Sequence, residues 1–367
     1  MKKINVLVVD DSAFMRKLIS DFLSENSQIQ VIGTARNGAD ALTKIQDLNP
    51  HVVTMDIEMP VMNGLEALKE LMKQHPTPTI MISSTTKEGA ENTILAMQYG
   101  AIDFIAKPSG AISLDLYKVK EELIEKVISA SRANMKQATK VSFLTKKPTN
   151  LHSDYSKIEP KSDSVKPVSS IATTWHHSKK KVICIGTSTG GPRALQQVIT
   201  KLPKNLDAPV LVVQHMPPGF TKSLANRLDS LSEISVKEAE DGELVKKGTV
   251  YIAPGGFHLK VKAVGTSLAI QLDQTEPRNG HRPSVDVMFE SVSALTEFVK
   301  IAVIMTGMGS DGAAGLRSLK KHGVVKAIAE SQETSIVFGM PKSAIATSLV
   351  EEVQNVEKIA ETILKYV

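Results

Sequence analysis

Two blocks of alternating strand-like and helix-like pattern flank a stretch with no apolar period, and this restricts the chain to two α/β domains on a tether. Over residues 1–110, apolar runs at residues 4–9, 30–35, 52–55, 79–82 and 101–106 alternate with amphipathic stretches. Between the first two runs, Phe14, Leu18 and Phe22 recur every four residues, with Met15, Ile19 and Leu23 alongside. That spacing lays a wide apolar stripe on one side of a helix. Repeated βα units imply a parallel sheet covered by helices on both faces. A last helix near residues 115–129 closes this first domain, residues 1–129.

Residues 130–178 change character. Lys, Ser, Thr and Pro dominate, as in Thr145-Lys146-Lys147-Pro148, and the expectation is a flexible basic linker. Trp175, His176 and His177 end it, and adjacent histidines on a tether read as solvated rather than metal-bound. Strand-like runs resume at residues 182–185, 210–214, 250–253, 267–272, 301–306 and 324–329. Helical stretches cover residues 193–202, 221–231, 285–295, 315–322 and 356–366. The second domain, residues 179–367, is thus expected to be a doubly wound α/β fold. Its antiparallel edge would come from residues 251–261 and 267–272.

Charge and cysteine usage narrow the function classes. The net charge of +5 lies in the middle: residues 1–127 carry 13 basic and 17 acidic groups, residues 128–181 carry 11 and 3, and residues 182–367 carry 20 and 19. Neither folded block is basic, so nucleic acid is not an expected partner. The single cysteine, Cys184, sits in the apolar run Val182-Ile183-Cys184-Ile185 and reads as a buried, inert thiol. One cysteine, no apolar leader and no run of about 18 apolar residues together point to a cytoplasmic protein.

In a parallel α/β sheet, functional groups gather beyond the carboxyl ends of the strands. Asp10 and Asp11 follow the first strand, Asp56 the third, Ser83 the fourth and Lys107 the fifth. Three converging carboxylates repel one another unless a cation lies between them, and hard oxygen ligands select Mg²⁺. A lysine and a hydroxyl in the same crevice suit phosphoryl oxygens, and a carboxylate attacking a phosphoryl donor yields an acyl phosphate. The same residues carry a resemblance to the receiver domains of bacterial response regulators. The motifs are Val8-Val9-Asp10-Asp11-Ser12, Met55-Asp56-Ile57-Glu58-Met59-Pro60, Asn63-Gly64, Ser83-Ser84 and Lys107-Pro108. The resemblance implies a flavodoxin-like, five-stranded parallel sheet with Asp56 as phosphoacceptor and a histidine kinase as phosphoryl donor. It also implies Asp10, Asp11, Asp56 and the Glu58 carbonyl as the Mg²⁺ site, Ser83, Phe104 and Lys107 as switch residues, and a cis Lys107–Pro108 bond.

The second block carries Gly186-Thr187-Ser188-Thr189-Gly190, a G-x-S-x-G motif between a strand and a helix. Such a turn exposes a nucleophilic serine beside helix N-terminal donors. The motif alone also suits a phosphate-binding loop. However, Ser188 replaces the second glycine of a dinucleotide fingerprint, and no Lys-Ser/Thr pair follows. His215 follows the run 210–214 and Asp311 follows the run 301–306, so base and acid would meet the serine at one sheet edge. His258 and His281 remain competing bases, and Asp286 a competing acid that also suits a helix start.

This block resembles the catalytic domain of the chemotaxis protein-glutamate methylesterase/protein-glutamine glutaminase family. The carrying motifs are Ile185-Gly186-Thr187-Ser188, Gln214-His215-Met216-Pro217, Tyr251-Ile252-Ala253-Pro254, Arg282-Pro283-Ser284-Val285-Asp286 and Thr306-Gly307-Met308-Gly309-Ser310-Asp311. The resemblance implies Ser188 as nucleophile, His215 as general base and acid, Asp311 as its orienting carboxylate and the Met308 amide as an oxyanion donor. It further implies hydrolysis of glutamate γ-methyl esters and deamidation of glutamines on chemoreceptor helices, without a cofactor for the hydrolase, and membrane association only through the receptors. Ser310 stands where family members often carry Asn. The rival architecture, a receiver driving a DNA-binding output, calls for a small basic helix-turn-helix unit, which residues 182–367 do not match.

Overall fold

The computed structural model describes residues 3–107, 114–138 and 180–367. The first unit runs β1 (Ile4–Val9), α1 (Ala13–Ser24), β2 (Ile29–Ala35), α2 (Gly38–Leu48), β3 (Val52–Asp56), α3 (Gly64–Gln74), β4 (Thr79–Ser83), α4 (Lys87–Tyr99), β5 (Asp103–Ala106) and α5 (Leu114–Ala130). Its strands pair in parallel in the order β2-β1-β3-β4-β5. Alternate strand residues face opposite sides. Val6 and Val8 pack with Ile19, Leu23, Leu123 and Val127, whereas Leu7 and Val9 pack with Ala41, Ile45, Leu68 and Leu71. Helix starts follow local chemistry: Ser12, Asn37, Asn63 and Thr86 each accept a first-turn backbone N–H.

After α6 (Met135–Ala138), the second unit runs β6 (Lys180–Thr187), α7 (Gly191–Ile199), β7 (Val210–Gln214), α8 (Phe220–Leu231), β8 (Ser235–Glu238), β9 (Thr249–Ile252), β10 (His258–Val264), β11 (Ser267–Asp273), α9 (Val285–Ser293), β12 (Phe298–Ile304), α10 (Ala313–Lys321), β13 (Val325–Glu330), α11 (Met340–Ile345), β14 (Glu352–Gln354) and α12 (Val356–Leu364). Seven strands form a parallel sheet in the order β14-β13-β12-β6-β7-β9-β8. Ile183 and Ile185 pack against α7, α8 and α12, and Val182 and Cys184 against α9 and α10. The expected antiparallel pair exists as β10–β11, but as a separate two-stranded sheet beginning at His258; Tyr251 belongs to β9 in the parallel sheet. The short elements β8, β14, α6 and α11 escape sequence patterning because three to six residues hold too little of any period.

The stretch expected as linker begins as ordered chain. Ala130 and Ala138 are fully buried, Asn134 N donates to Ile336 O at 3.0 Å, and the Asn134 and Gln137 side-chain amides donate to the Glu333 carbonyl. Ala133 and Met135 pack beside them, but four scattered apolar residues are too few to register as a period among polar neighbours. Trp175, His176, His177 and the Lys107–Pro108 bond lie outside the described residues. Among the described residues no helix is long and apolar enough to cross a membrane.

The two units share one continuous apolar cluster, in which Ala90, Ile94, Met97 and Phe104 meet residues of α7 and α8. The Phe104 and Phe220 rings lie 4.6 Å apart at 31°. Around them Gln98 donates to Gln196 Oε1 at 2.8 Å and accepts from Arg227 at 2.9 Å. At the head of α3, Gly64 is required by space: a Cβ there would sit 2.0 Å from the Asp56 carbonyl oxygen. Gly64→Ala is expected to destabilise the chain by about 1–3 kcal/mol through overpacking. The check is the urea midpoint; an unchanged midpoint would show that the β3–α3 turn relaxes freely.

Candidate active site and candidate phosphorylation site

Strand order positions both sites. In the first sheet the order reverses between β1 and β3, and in the second between β6 and β12, so crevices open at those carboxyl ends. Asp10 and Asp11 follow β1 and Asp56 ends β3; Ser188 follows β6 and Asp311 follows β12. The sequence-derived candidates in each set therefore converge on a switch point.

Asp10, Asp11 and Asp56 each offer a carboxylate oxygen within 4.8 Å of the others. Lys107 Nζ lies 2.7 Å from Asp56 Oδ2 and 3.7 Å from Asp10 Oδ2. Burial pushes the Asp56 carboxyl up to about 6 although Lys107 pulls it down, and it raises Asp10 likewise. Asp10 Oδ2 is buried without a hydrogen-bond donor. Two buried carboxylates, one with an orphaned oxygen, beside the exposed Asp11 fit a small hard cation such as Mg²⁺. Glu58 adjoins the cluster, its N–H 3.4 Å from Asp56 Oδ1 and its carboxylate accepting from Ser84. Ser83 is not turned toward Asp56: its hydroxyl donates to Gly89 O at 3.0 Å and accepts from Thr93 at 2.7 Å, both on α4.

In the second crevice β6 and β7 are paired neighbours, and His215 N donates to Thr187 O at 3.2 Å. His215 thus stands beside the Ser188 turn, whose carbonyl accepts from Gln214 Nε2 at 3.0 Å. His215 Nε2 is 2.8 Å from Asp311 Oδ2, and the two side chains are 5% and 2% exposed. The other ring nitrogen, Nδ1, is buried with no hydrogen-bond partner. Asp311 also accepts from Ser284 Oγ (2.9 Å), Val285 N (2.7 Å), Asp286 N (3.0 Å) and Gly312 N (3.1 Å). Burial opposes its charge, but the bonds from His215 and these amides prevail and hold its pKa well below the usual carboxylate range.

The competing candidates separate. Asp286 lies in the first turn of α9 and accepts from Gly312 N at 2.9 Å and Gly315 N at 2.7 Å, so it braces the Asp311 loop. His258 is fully buried with Nε2 3.1 Å from Glu276 O, and it makes no hydrogen bond to Ser188, His215 or Asp311. His281 does reach the site, stacking on His215 with ring centroids 3.8 Å apart at 18°. Burial first, then the neighbouring His215, pushes the His281 pKa down to about 4. Met308 lies on the loop braced by Gly339 N and Met340 N, which donate to Gly307 O.

Residues that patterning did not single out complete the picture. Asp103 of β5 forms a buried hydrogen bond with Thr189, the neighbour of Ser188, and an ion pair with Lys126 at 3.2 Å. The first unit therefore sits against the Ser188 turn. No local period marks a residue whose partner is 86 positions away.

Comparison with known proteins matches the description CheB methylesterase over residues 183–363 and response regulator receiver domain over residues 6–116. A protein-glutamate methylesterase/protein-glutamine glutaminase of Geobacillus kaustophilus is 57% identical, over 100% of this chain and 99% of that protein. One of the same description from Bacillus subtilis is 52% identical, over 98% and 97%. The solved Thermotoga maritima CheB methylesterase catalytic domain is 51% identical, covers 51% of this chain and 98% of its own, and has a TM-score of 0.49. With relatives of this identity aligned from end to end, the chain belongs to the protein-glutamate methylesterase/protein-glutamine glutaminase family, a response regulator receiver joined to a CheB methylesterase domain.

Proposed function

We propose that this chain hydrolyses glutamate γ-methyl esters, and the amides of glutamines, on chemoreceptor helices through Ser188, His215 and Asp311, under control of phosphorylation at Asp56. The observation that carries the reading is the buried His215–Asp311 pair beside the Ser188 turn, with the Asp311 carboxylate held by donors from α9 and its own loop. With Nε2–H donated to Asp311, Nδ1 keeps its lone pair for the Ser188 proton. Ser188 Oγ attacks the ester carbonyl, its proton passes to His215, and the oxyanion is met by the Met308 N–H. His215 returns the proton to the leaving methoxide, which departs as methanol, or to the leaving amine of a glutamine, which departs as ammonia. Water, deprotonated by the same ring, then attacks the acyl-enzyme and frees the carboxylate. A neutral His281 against the His215 ring excludes water without placing a second positive charge beside the transient imidazolium.

On the receiver side, Asp10, Asp11, Asp56 and the Glu58 carbonyl would hold Mg²⁺, which offsets the charge of carboxylate and phosphate when bound. Asp56 takes the phosphoryl group from a histidine kinase, and Lys107 contacts it. To reach it, the Ser83 hydroxyl must leave Gly89 O and Thr93 Oγ1, and so release its hold on α4. Helix α4 and Phe104 are the elements seated on α7, α8 and Phe220. Phosphorylation therefore loosens the seat that keeps Asp103 on Thr189 and the receptor helix out.

Ser188→Ala and His215→Ala are each expected to lower kcat roughly a million-fold and Asp311→Ala roughly ten-thousand-fold, with double variants no worse than the Ser188 or His215 single. Methanol release from methylated receptor is the readout; a His215→Ala enzyme near wild-type rate would remove the base from the scheme. Asp103→Ala is expected to raise turnover of the unphosphorylated chain by roughly 5–150-fold. Asp56→Ala, or chelation of Mg²⁺, is expected to abolish stimulation by acetyl phosphate. If Asp103→Ala left the basal rate unmoved, the contact with Thr189 would not restrain the enzyme.

A further inference from the structure

Glu330 ends β13 and is 1% exposed, a carboxylate in the interior with no acidic or basic side chain bonded to it. An interior carboxylate is stable only where donors are aimed at it. Two are. Thr306 N donates to Oε2 at 2.8 Å, and Thr334 Oγ1 bonds Oε1 at 2.9 Å. Thr334 is itself pinned, because its hydroxyl oxygen accepts from Val356 N at 3.0 Å at the head of α12. The other end of this link is a junction. Thr306 O accepts from Ser188 N at 3.0 Å, Thr306 Oγ1 donates to Thr189 O at 2.9 Å, and the same hydroxyl accepts from Val337 N at 3.0 Å. The next residue, Gly307, donates to Val337 O at 3.0 Å, and a Cβ on it would lie 2.8 Å from the Ser188 Cβ. One residue, Thr306, thus links the Ser188 turn to the start of the loop that carries Met308: its N–H reaches Glu330, and its carbonyl and hydroxyl reach the Ser188 turn.

We propose that Glu330 is a positioning residue for this hydrolysis: by fixing residue Thr306 through its N–H, it holds Ser188 and the Met308 loop at the spacing that the reacting carbonyl requires. The inference rests on Ser188 being the nucleophile. Parallel pairing of β12 with β13 stops at Ile304↔Ala329, so beyond it no strand partner remains for the buried Thr306 N–H, and Glu330 supplies one. Burial favours a neutral carboxyl here: it pushes Glu330 up to about 7 against the pull of the Thr306 N–H and Thr334, and Glu357 of α12 adds to the rise. A neutral acid bonds Thr306 N with one oxygen and can donate to Thr334 with the other. A glutamine makes the same two bonds, whereas an alanine makes neither and orphans the Thr306 N–H.

The test uses the full-length chain activated with acetyl phosphate and Mg²⁺, with methyl-ester hydrolysis followed as separate kcat and KM. Glu330→Ala is expected to lose roughly 10- to 100-fold in kcat, the scale of a small misplacement of reacting groups, with KM within about twofold. Glu330→Gln is expected to keep kcat within about threefold. The raised carboxyl predicts a second signature. Its contribution to stability is full below the unfolded-state value near 4.5 and is lost as pH rises through about 7. Between pH 5 and pH 8 the wild type should therefore lose more Tm than Glu330→Gln. Thr334→Val, which removes the second arm together with the bond to Val356 N but keeps the Thr306 arm, should show a smaller kcat loss at unchanged KM and serves if Glu330→Ala does not fold. Wild-type kcat in Glu330→Ala, wild-type kcat in Thr334→Val when the alanine variant is unfolded, or equal losses in the Ala and Gln variants would each overturn the proposal. Ser188→Ala run in parallel separates the two readings: if it is inactive while Glu330→Ala is not, only the positioning role falls. If Ser188→Ala retains turnover, the nucleophile assignment fails and Glu330 has nothing to position.

Discussion

In a parallel sheet each strand must return through a crossover, and the crossover helices seal both faces. The groups that open to solvent then lie along the carboxyl edge, most accessibly where the strand order reverses. Both halves of this chain obey that constraint. Asp10, Asp11 and Asp56 meet at the β1/β3 reversal, and Ser188 and Asp311 at the β6/β12 reversal. The strands behind these residues are almost wholly buried, with Val6 to Val9 and Val182 to Ile185 all at 0% or 1% exposure. Rigid interior backbone thus ends abruptly in reactive side chains, which keeps their relative positions narrow.

In the second sheet most of the donors around the candidate site are devoted to holding one charge. Asp311 takes hydrogen bonds from a serine hydroxyl and three backbone amides in addition to His215, and Asp286 ties the same loop to the head of α10. Two carboxylates so close titrate apart: burial raises Asp286, while its richer donor set lowers Asp311. The charge is thereby localised on the residue that faces the histidine. Glu330 lies behind Thr306 on the other side of the Ser188 turn, with its carboxyl raised to about 7 by burial.

The junction between the units is built from the receiver elements that surround its own reactive crevice. Ser83 bonds α4, α4 and Phe104 pack on α7 and α8, and Asp103 reaches Thr189 next to Ser188. An apolar cluster that runs unbroken through this seat joins the two units into one packed body. The chain between Asn134 and Ala138 extends the seat onto the loop before α11, so the first residues after α5 belong to the interface.

Local sequence determined the strands, most of the helices and the chemistry at their ends, because burial on two faces writes continuous apolar runs and the reactive residues directly follow them. Asp56, Lys107, Ser188, His215 and Asp311 were singled out in this way; the structure puts Lys107 on Asp56 and His215 on Asp311, with the Ser188 turn on the strand beside His215. Tertiary structure alone decided which histidine pairs with Asp311, since His215 and His281 lie against each other and only the hydrogen bond separates them. It alone turned Ser83 toward α4, joined Asp103 to Thr189 and set Glu330 behind Thr306. These contacts have no signature because a hydrogen bond between residues far apart in the chain imposes no period on either segment. The interior carboxylate of Glu330 reads, in sequence, like any polar residue at the end of a strand; only the closed interior around it shows that its partner is the Thr306 N–H beside the Ser188 turn.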